Sequence, residues 1–241
     1  MIIDVLTLFP EMFDGVLNSS ILKKIIEKEL IKIRVHNFRD FSLNKHKKVD
    51  DTVYGGGAGM LIAVQPVIDC LKSIDNFNNA HKIITSPSGN IFNQNKAKEY
   101  SEKNHLIIIC GHYEGIDERV LNYVDEEVSI GEFILTGGEL AALSIIDSVA
   151  RLIPGAISEQ STVEESFNDG LLEYPQYTKP AIYDGYSVPE VLISGNHKNI
   201  NDYRRYSSLK KTYLRKPELL KNCNLSKADL DMLAKIKKEE K

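Results

Sequence analysis

Apolar and polar positions change period repeatedly along the chain, and each change marks an element. Ile2 to Leu8 is a mostly apolar run stopped by Phe9-Pro10, which predicts a buried strand. Ser19-Ser20 precede Ile21, Leu22, Ile25 and Ile26 at helical spacing and predict a capped helix to Leu30. Ile31, Ile33 and Val35 alternate with Lys32, Arg34 and His36, the period of a half-buried strand. Pro66 is placed to open a helix through Leu71. A short strand follows at Lys82 to Thr85, then a turn at Ser86-Pro87-Ser88-Gly89 and a polar helix over Asn93 to Glu102. Leu106 to Cys110 reads as a central strand, Ile116 to Leu121 as a helix and Glu127 to Ile130 as another strand. Gly137-Gly138 precede a long apolar helix, Glu139 to Leu152, halted at Pro154-Gly155. Strands alternating with helices predict an α/β fold built on a parallel sheet.

Beyond this the pattern weakens. Ser158 to Tyr174 is acidic, polar and weakly periodic, so a domain over 1–157 is expected to pass through a linker, 158–174, into a smaller helical domain, 175–241. There Ile200 to Arg215 predicts a basic helix ended before Pro217. Tyr203, Tyr206 and Leu214 are its expected buried side. Ser226 and Asp229 have capping-box spacing, with Leu225 and Leu230 set for a hydrophobic staple.

Composition adds boundaries. No apolar run approaches the roughly 20 residues that span a bilayer. The first residues lack a basic stretch and a small-residue cleavage site, so the expected location is the cytoplasm. Cys70, Cys110 and Cys223 are widely separated and have no zinc-type spacing; Cys70 and Cys110 read as small buried hydrophobes. The net charge of −4 conceals an asymmetry. Residues 195–241 hold 13 Lys and Arg against 6 Asp and Glu, a balance of +7, which leaves −11 on the first 194 residues. A basic end on an acidic body suits either a polyanion contact or a solvated helical face. Lys45, Lys47 and Lys48 form a second basic patch near Asp50.

The common nucleotide fingerprints are absent. Gly55-Gly56-Gly57-Ala58-Gly59 is followed by Met60 where a dinucleotide motif needs glycine, and no phosphate-binding P-loop is present. Three glycine-bearing turns after expected strands remain: Pro87 to Gly89, Gly111 to Gly115 and Gly131 to Gly138. In open α/β sheets, ligands lie beyond the carboxyl ends of strands.

The segment Cys110-Gly111-His112-Tyr113-Glu114-Gly115-Ile116-Asp117-Glu118-Arg119-Val120 resembles the signature of the bacterial tRNA (guanine-N1)-methyltransferase family. The likeness continues through Asp50-Asp51, Tyr54 to Met60, Ser129 to Leu140, Asp147 to Arg151, Tyr177-Thr178-Lys179-Pro180 and Leu192 to His197, in order along nearly the whole chain. That family acts on the guanosine at tRNA position 37, beside the anticodon. The resemblance implies a trefoil-knotted methyltransferase domain of the SPOUT type and a homodimer with its active site at the subunit interface. It implies S-adenosylmethionine held by Thr85, Pro87, Gly111, Tyr113, Ile130, Gly131, Glu132, Phe133, Ile134, Leu135, Gly137 and Gly138.

Guanine N1 carries a proton that must leave as charge spreads onto O6. A carboxylate suits the removal, a fixed cation suits O6, and no metal is required. The resemblance assigns the cation to Arg151 and the base to Glu165, in Glu165-Ser166-Phe167-Asn168-Asp169-Gly170-Leu171-Leu172. The family has Asp at the first of these positions, one methylene shorter; Asp169 and Glu164 stand as alternatives. Glu114 is placed to read guanine N1-H and N2-H, and Asp50 is a further expected substrate contact; His112 suits phosphate or solvent. His197, Lys198, Arg204 and Arg205 are the expected tRNA contacts. Two other readings stay open: a knotted methyltransferase for another RNA site, and an RNA-binding protein that has lost catalysis.

Overall fold

In the computed structural model, residues 1–57, 59–158, 165–167, 169–221 and 223–240 are described. Glu164, an alternative base, lies outside them. The chain divides into two compact units, Met1–Ser158 and Glu159–Lys241.

The first unit opens with strand β1 (Ile2–Thr7), helices α1 (Glu11–Leu17) and α2 (Ser20–Glu27), and β2 (Lys32–Asn37). A two-stranded hairpin, β3 (Asp50–Asp51) with β4 (Leu61–Ile62), leads into α3 (Val64–Ser73). Then come β5 (His81–Ile91), α4 (Gln94–Ser101), β6 (His105–Cys110), β7 (Glu126–Ser129) and α5 (Glu139–Ala150). Five of the strands form one sheet in the order β2-β1-β6-β5-β7, with every pairing parallel.

Both faces of this sheet are covered, which is why β6 has a continuous apolar sequence. Its side chains still alternate. Leu106, Ile108 and Cys110 pack with Ile3, Val5 and the apolar side of α5. Ile107 and Ile109 pack with Leu6, Ile84 and the buried residues of α3, including Cys70. Burial pushes the Cys70 thiol up to about 12 and the Cys110 thiol well above its ordinary value, so both remain protonated hydrophobes.

A buried carboxylate interrupts this core. Asp4 of β1 is fully enclosed and accepts two bonds from Arg34, at 2.7 and 2.6 Å. His36 Nε2 lies 2.6 Å and His105 Nε2 2.7 Å from the same carboxylate. Burial pushes the Asp4 carboxyl up, but the bonds with His36, Arg34 and His105 outweigh it and hold the group well below the ordinary carboxylate range.

Several expectations need correction. The predicted turn at Ser86 to Gly89 lies inside β5, where the pairing with β7 shifts register between Thr85 and Asn90. Ile116 to Leu121 is not an α-helix: a 3-10 helix runs over Glu118–Tyr123, capped by Asp117, which accepts from the Arg119 N–H. The helix predicted to reach Leu30 ends at Glu27, and Glu29 takes a left-handed conformation.

The second unit contains a short hairpin, β8 (Ile182–Tyr183) with β9 (Tyr186–Ser187), and helices α6 (Glu190–Ile193), α7 (His197–Arg215) and α8 (Lys227–Glu239). Its core is small: Leu171, Leu209, Leu233 and Ile236. Helix α7 buries Ser208, Leu209 and Thr212 rather than Leu214, which is 49% exposed; Tyr206 packs at the core edge. The Ser226–Asp229 capping box forms, and Leu230 is 55% exposed. Residues 165–167 and 169–173, read from sequence as linker, belong to this unit. Leu171 is in its core, and the Leu172 N–H donates to Thr212 Oγ1 at 2.9 Å.

Among the described residues no helix is long and apolar enough to cross a membrane.

Candidate active site

A cavity of about 460 Å³ opens at the carboxyl ends of β6 and β7, beside the irregular stretch within β5. Three segments wall it: Ser86 to Ser88 of β5, the loop Gly111 to Glu118, and the loop Ile130 to Gly138. The third loop folds back onto the second. The Gly138 N–H donates to the Gly111 carbonyl at 2.8 Å, and Gly137 bridges to His112 as an antiparallel pair. The approach requires glycine. A Cβ on Gly138 would collide with Thr85 Oγ1 and sit 3.0 Å from the Gly111 nitrogen. Just beyond, Glu139 is 1% exposed and its carboxylate accepts from Thr7 Oγ1 at 2.7 Å. This bond ties the start of α5 to the end of β1.

The loop after β7 is shaped locally. The Ser129 hydroxyl donates to the Gly131 carbonyl at 3.0 Å and accepts from the Gly131 N–H at 3.3 Å. The turn leaves Phe133, Ile134 and Leu135 exposed, Ile134 at 80%.

Of the twelve positions expected to hold the cofactor, eleven line this cavity; Glu132 is exposed on the loop and lies outside the lining. Sequence reasoning missed several wall residues, among them Ser86, Ser88, Glu127, Thr136 and Ala141. Their only sequence signal is position next to a glycine turn or strand end. His112, expected against phosphate or solvent, instead lines the cavity with its ring 4.7 Å from Phe9 and 5.0 Å from Tyr113. Its Nδ1 lies 3.9 Å from Glu139 Oε2.

The lining carries Glu114, Asp117, Glu118 and Glu127 but neither lysine nor arginine. Such a cavity suits a medium-sized ligand with positive charge and apolar surface. S-adenosylmethionine, a sulfonium bearing an adenine, fits that donor set and that glycine-lined approach.

Glu114 stands at the rim. Its N–H donates to the Met60 carbonyl at 3.2 Å, and its side chain packs against Gly59, where a Cβ would meet it. Asp50 pairs with Ile62, whose N–H donates to the Gly115 carbonyl at 3.0 Å. The hairpin that carries Asp50 is thus hydrogen-bonded to the loop that carries Glu114. Arg151 caps the carboxyl end of α5, its N–H on the Asp147 carbonyl at 3.2 Å.

Arg151 belongs to the first unit and Glu165 to the second. In the second unit Glu165, Asp169, Arg204 and Arg205 line a cavity of about 260 Å³. The Arg204 guanidinium lies 4.8 Å from the centre of the Tyr174 ring. His197 and Lys198 are exposed in the first turn of α7. Arg205 bonds Asp229 and Asp169.

Comparison with known proteins agrees with these features. The sequence profile of the family described as tRNA (Guanine-1)-methyltransferase TrmD matches residues 1–222. A tRNA (guanine-N(1)-)-methyltransferase of Clostridium novyi (strain NT) is 54% identical over 238 residues, 98% of each chain. The protein of that name from Dictyoglomus turgidum is 50% identical over 238 residues, 98% of this chain and 97% of its own. The one from Caldanaerobacter subterraneus is 54% identical over 234 residues, 97% of each. With a parallel α/β sheet, a glycine-walled cavity at its carboxyl edge and matches of this extent, the chain belongs to the tRNA (guanine-1)-methyltransferase family.

Proposed function

We propose that this chain transfers the methyl group of S-adenosylmethionine to N1 of the guanosine at tRNA position 37, next to the anticodon. The observation that carries the reading is the first unit's cavity, lined by eleven of the twelve positions that the family resemblance assigns to the cofactor. The cofactor supplies a methyl group already activated on a sulfonium. The protein's own work is to hold the base and take its proton.

Glu165, as a carboxylate, accepts the N1 proton, and Arg151 stabilises the charge that develops on O6. Glu114 accepts hydrogen bonds from the guanine edge, and Asp50, on the hairpin bonded to the same loop, supports it. Arg204, Lys198 and His197 meet the phosphates and bases of the anticodon arm. Asp169, the alternative base, accepts the Leu171 N–H at 3.1 Å on one carboxylate oxygen and Arg205 at 2.7 Å on the other.

The same reading includes a trefoil knot in the first unit, supported by the return of the 130–138 loop onto Gly111 and His112. It includes a homodimer with the active site at the subunit interface. The exposed Phe133, Ile134, Leu135 and Leu140 beside the cavity support that arrangement, because apolar surface of this kind is normally covered. It also includes residues 1–157 as the methyltransferase domain, 158–174 as the connection and 175–241 as the tRNA-binding domain, in the cytoplasm.

The test is to digest modified tRNA to nucleosides and identify the product by mass spectrometry. The expected product is 1-methylguanosine; a methyl group on guanine N2 or N7, or on ribose, overturns the assignment.

A further inference from the structure

We propose that Arg205 is a positioning residue for the general base, acting through Asp169 to fix the segment that carries Glu165 on helix α7. The proposal rests on the reading of Glu165 as the base.

Arg205 is anchored from one side and reaches to the other. Its Nε donates to Asp229 Oδ1 at 2.8 Å and its Nη2 to Asp229 Oδ2 at 3.0 Å. Asp229 is itself buried and held by Ser226, whose N–H donates to it at 2.9 Å. Two parallel bonds to a fixed carboxylate set the plane of the guanidinium. The remaining arm, Nη1, then meets Asp169 Oδ2 at 2.7 Å.

Asp169 passes this constraint to the chain around Glu165. Its other oxygen accepts the Leu171 N–H at 3.1 Å, and Leu171 is seated in the core. The Leu171 carbonyl accepts the Phe167 N–H at 2.8 Å, and the Ser166 hydroxyl accepts the Glu173 N–H at 2.9 Å. Lys211 Nζ closes the far side on the Glu173 carbonyl at 3.0 Å. Residues 166, 167 and 169–173 are therefore held at several points, and Glu165 adjoins Ser166 in the chain. Glu165, Asp169 and Arg205 line the same cavity.

This reassigns Arg205 from phosphate contact to support of the base, and the two roles have different kinetic signatures. A phosphate contact acts on tRNA affinity and its salt dependence. Misplacement of a base by about an ångström acts on turnover, by up to about a hundredfold. Lysine cannot bridge both carboxylates as the arginine fork does.

The experiment compares Arg205→Lys and Asp169→Ala with the natural chain under saturating tRNA and S-adenosylmethionine. Asp169 is exposed, so its variant keeps the test valid should Arg205→Lys fold poorly. Both variants are expected to lose about tenfold or more in kcat, with KM for tRNA and the salt slope of tRNA binding unchanged, and with Tm unchanged in Asp169→Ala. An unchanged kcat overturns the proposal, and so does a raised KM with a flatter salt slope. Glu165→Gln is measured alongside and is expected to abolish turnover. If it retains turnover, the base assignment fails by itself, whatever the Arg205 result. If it abolishes turnover while Asp169→Ala and Arg205→Lys leave kcat intact, the base stands and only the positioning role is lost.

Discussion

The Gly138 N–H and the Gly111 carbonyl, 2.8 Å apart, join the loop after β7 to the loop after β6 and so close one side of the first unit's cavity. The contact depends on the absence of a side chain, because a Cβ on Gly138 meets Thr85 Oγ1 and the Gly111 nitrogen at once. Gly138→Ala is therefore expected to displace the loop and weaken S-adenosylmethionine binding by about tenfold or more, as misplacement of binding groups commonly does. Titration calorimetry with the cofactor checks this; an unchanged affinity would remove this contact from the site's requirements.

The buried Asp4 makes stability depend on acid. Its carboxyl lies below the ordinary range in the folded chain, so the stabilisation is complete above the unfolded value of about 3.9 and is lost as pH falls below it. Arg34, His36 and His105 are the charged or titratable groups that face it. Asp4→Asn is expected to be less stable than the natural chain at pH 7 and to lose part of the decline between pH 4 and pH 2. Urea unfolding midpoints across that interval measure the difference. Identical slopes for the two proteins would show that Asp4 is not a source of acid sensitivity.

Lys198, exposed in the first turn of α7, tests the phosphate contact apart from Arg205. Lys198→Ala is expected to reduce the slope of log affinity for tRNA against log salt by roughly one, with kcat at saturation unchanged. Filter binding over a range of salt concentrations measures it, and an unaltered slope excludes Lys198 from the interface.

The central strands were legible because burial on both faces demands an unbroken apolar run, as at Leu106 to Cys110. The interruption in β5 was not, because Ser86-Pro87-Ser88-Gly89 has turn composition whether it ends a strand or bulges within one. The 3-10 helix at Glu118–Tyr123 reads like an α-helix at one turn's length. The expected cofactor positions came from motif resemblance, and eleven of the twelve line one cavity. Walls such as Glu127 and Ala141 come from strand and helix packing, which leaves no local signal. Arg205 looked like one more cation in a basic helix. Its partners, Asp169 and Asp229, lie 36 and 24 residues away, a separation that sequence pattern does not resolve.

The most direct measurement of the central claim uses the natural chain, S-adenosylmethionine with a labelled methyl group, and two tRNA transcripts that differ only in carrying G or A at position 37. Label is expected in the G-bearing transcript and not in the other. Equal labelling of both, or labelling of neither, contradicts the account.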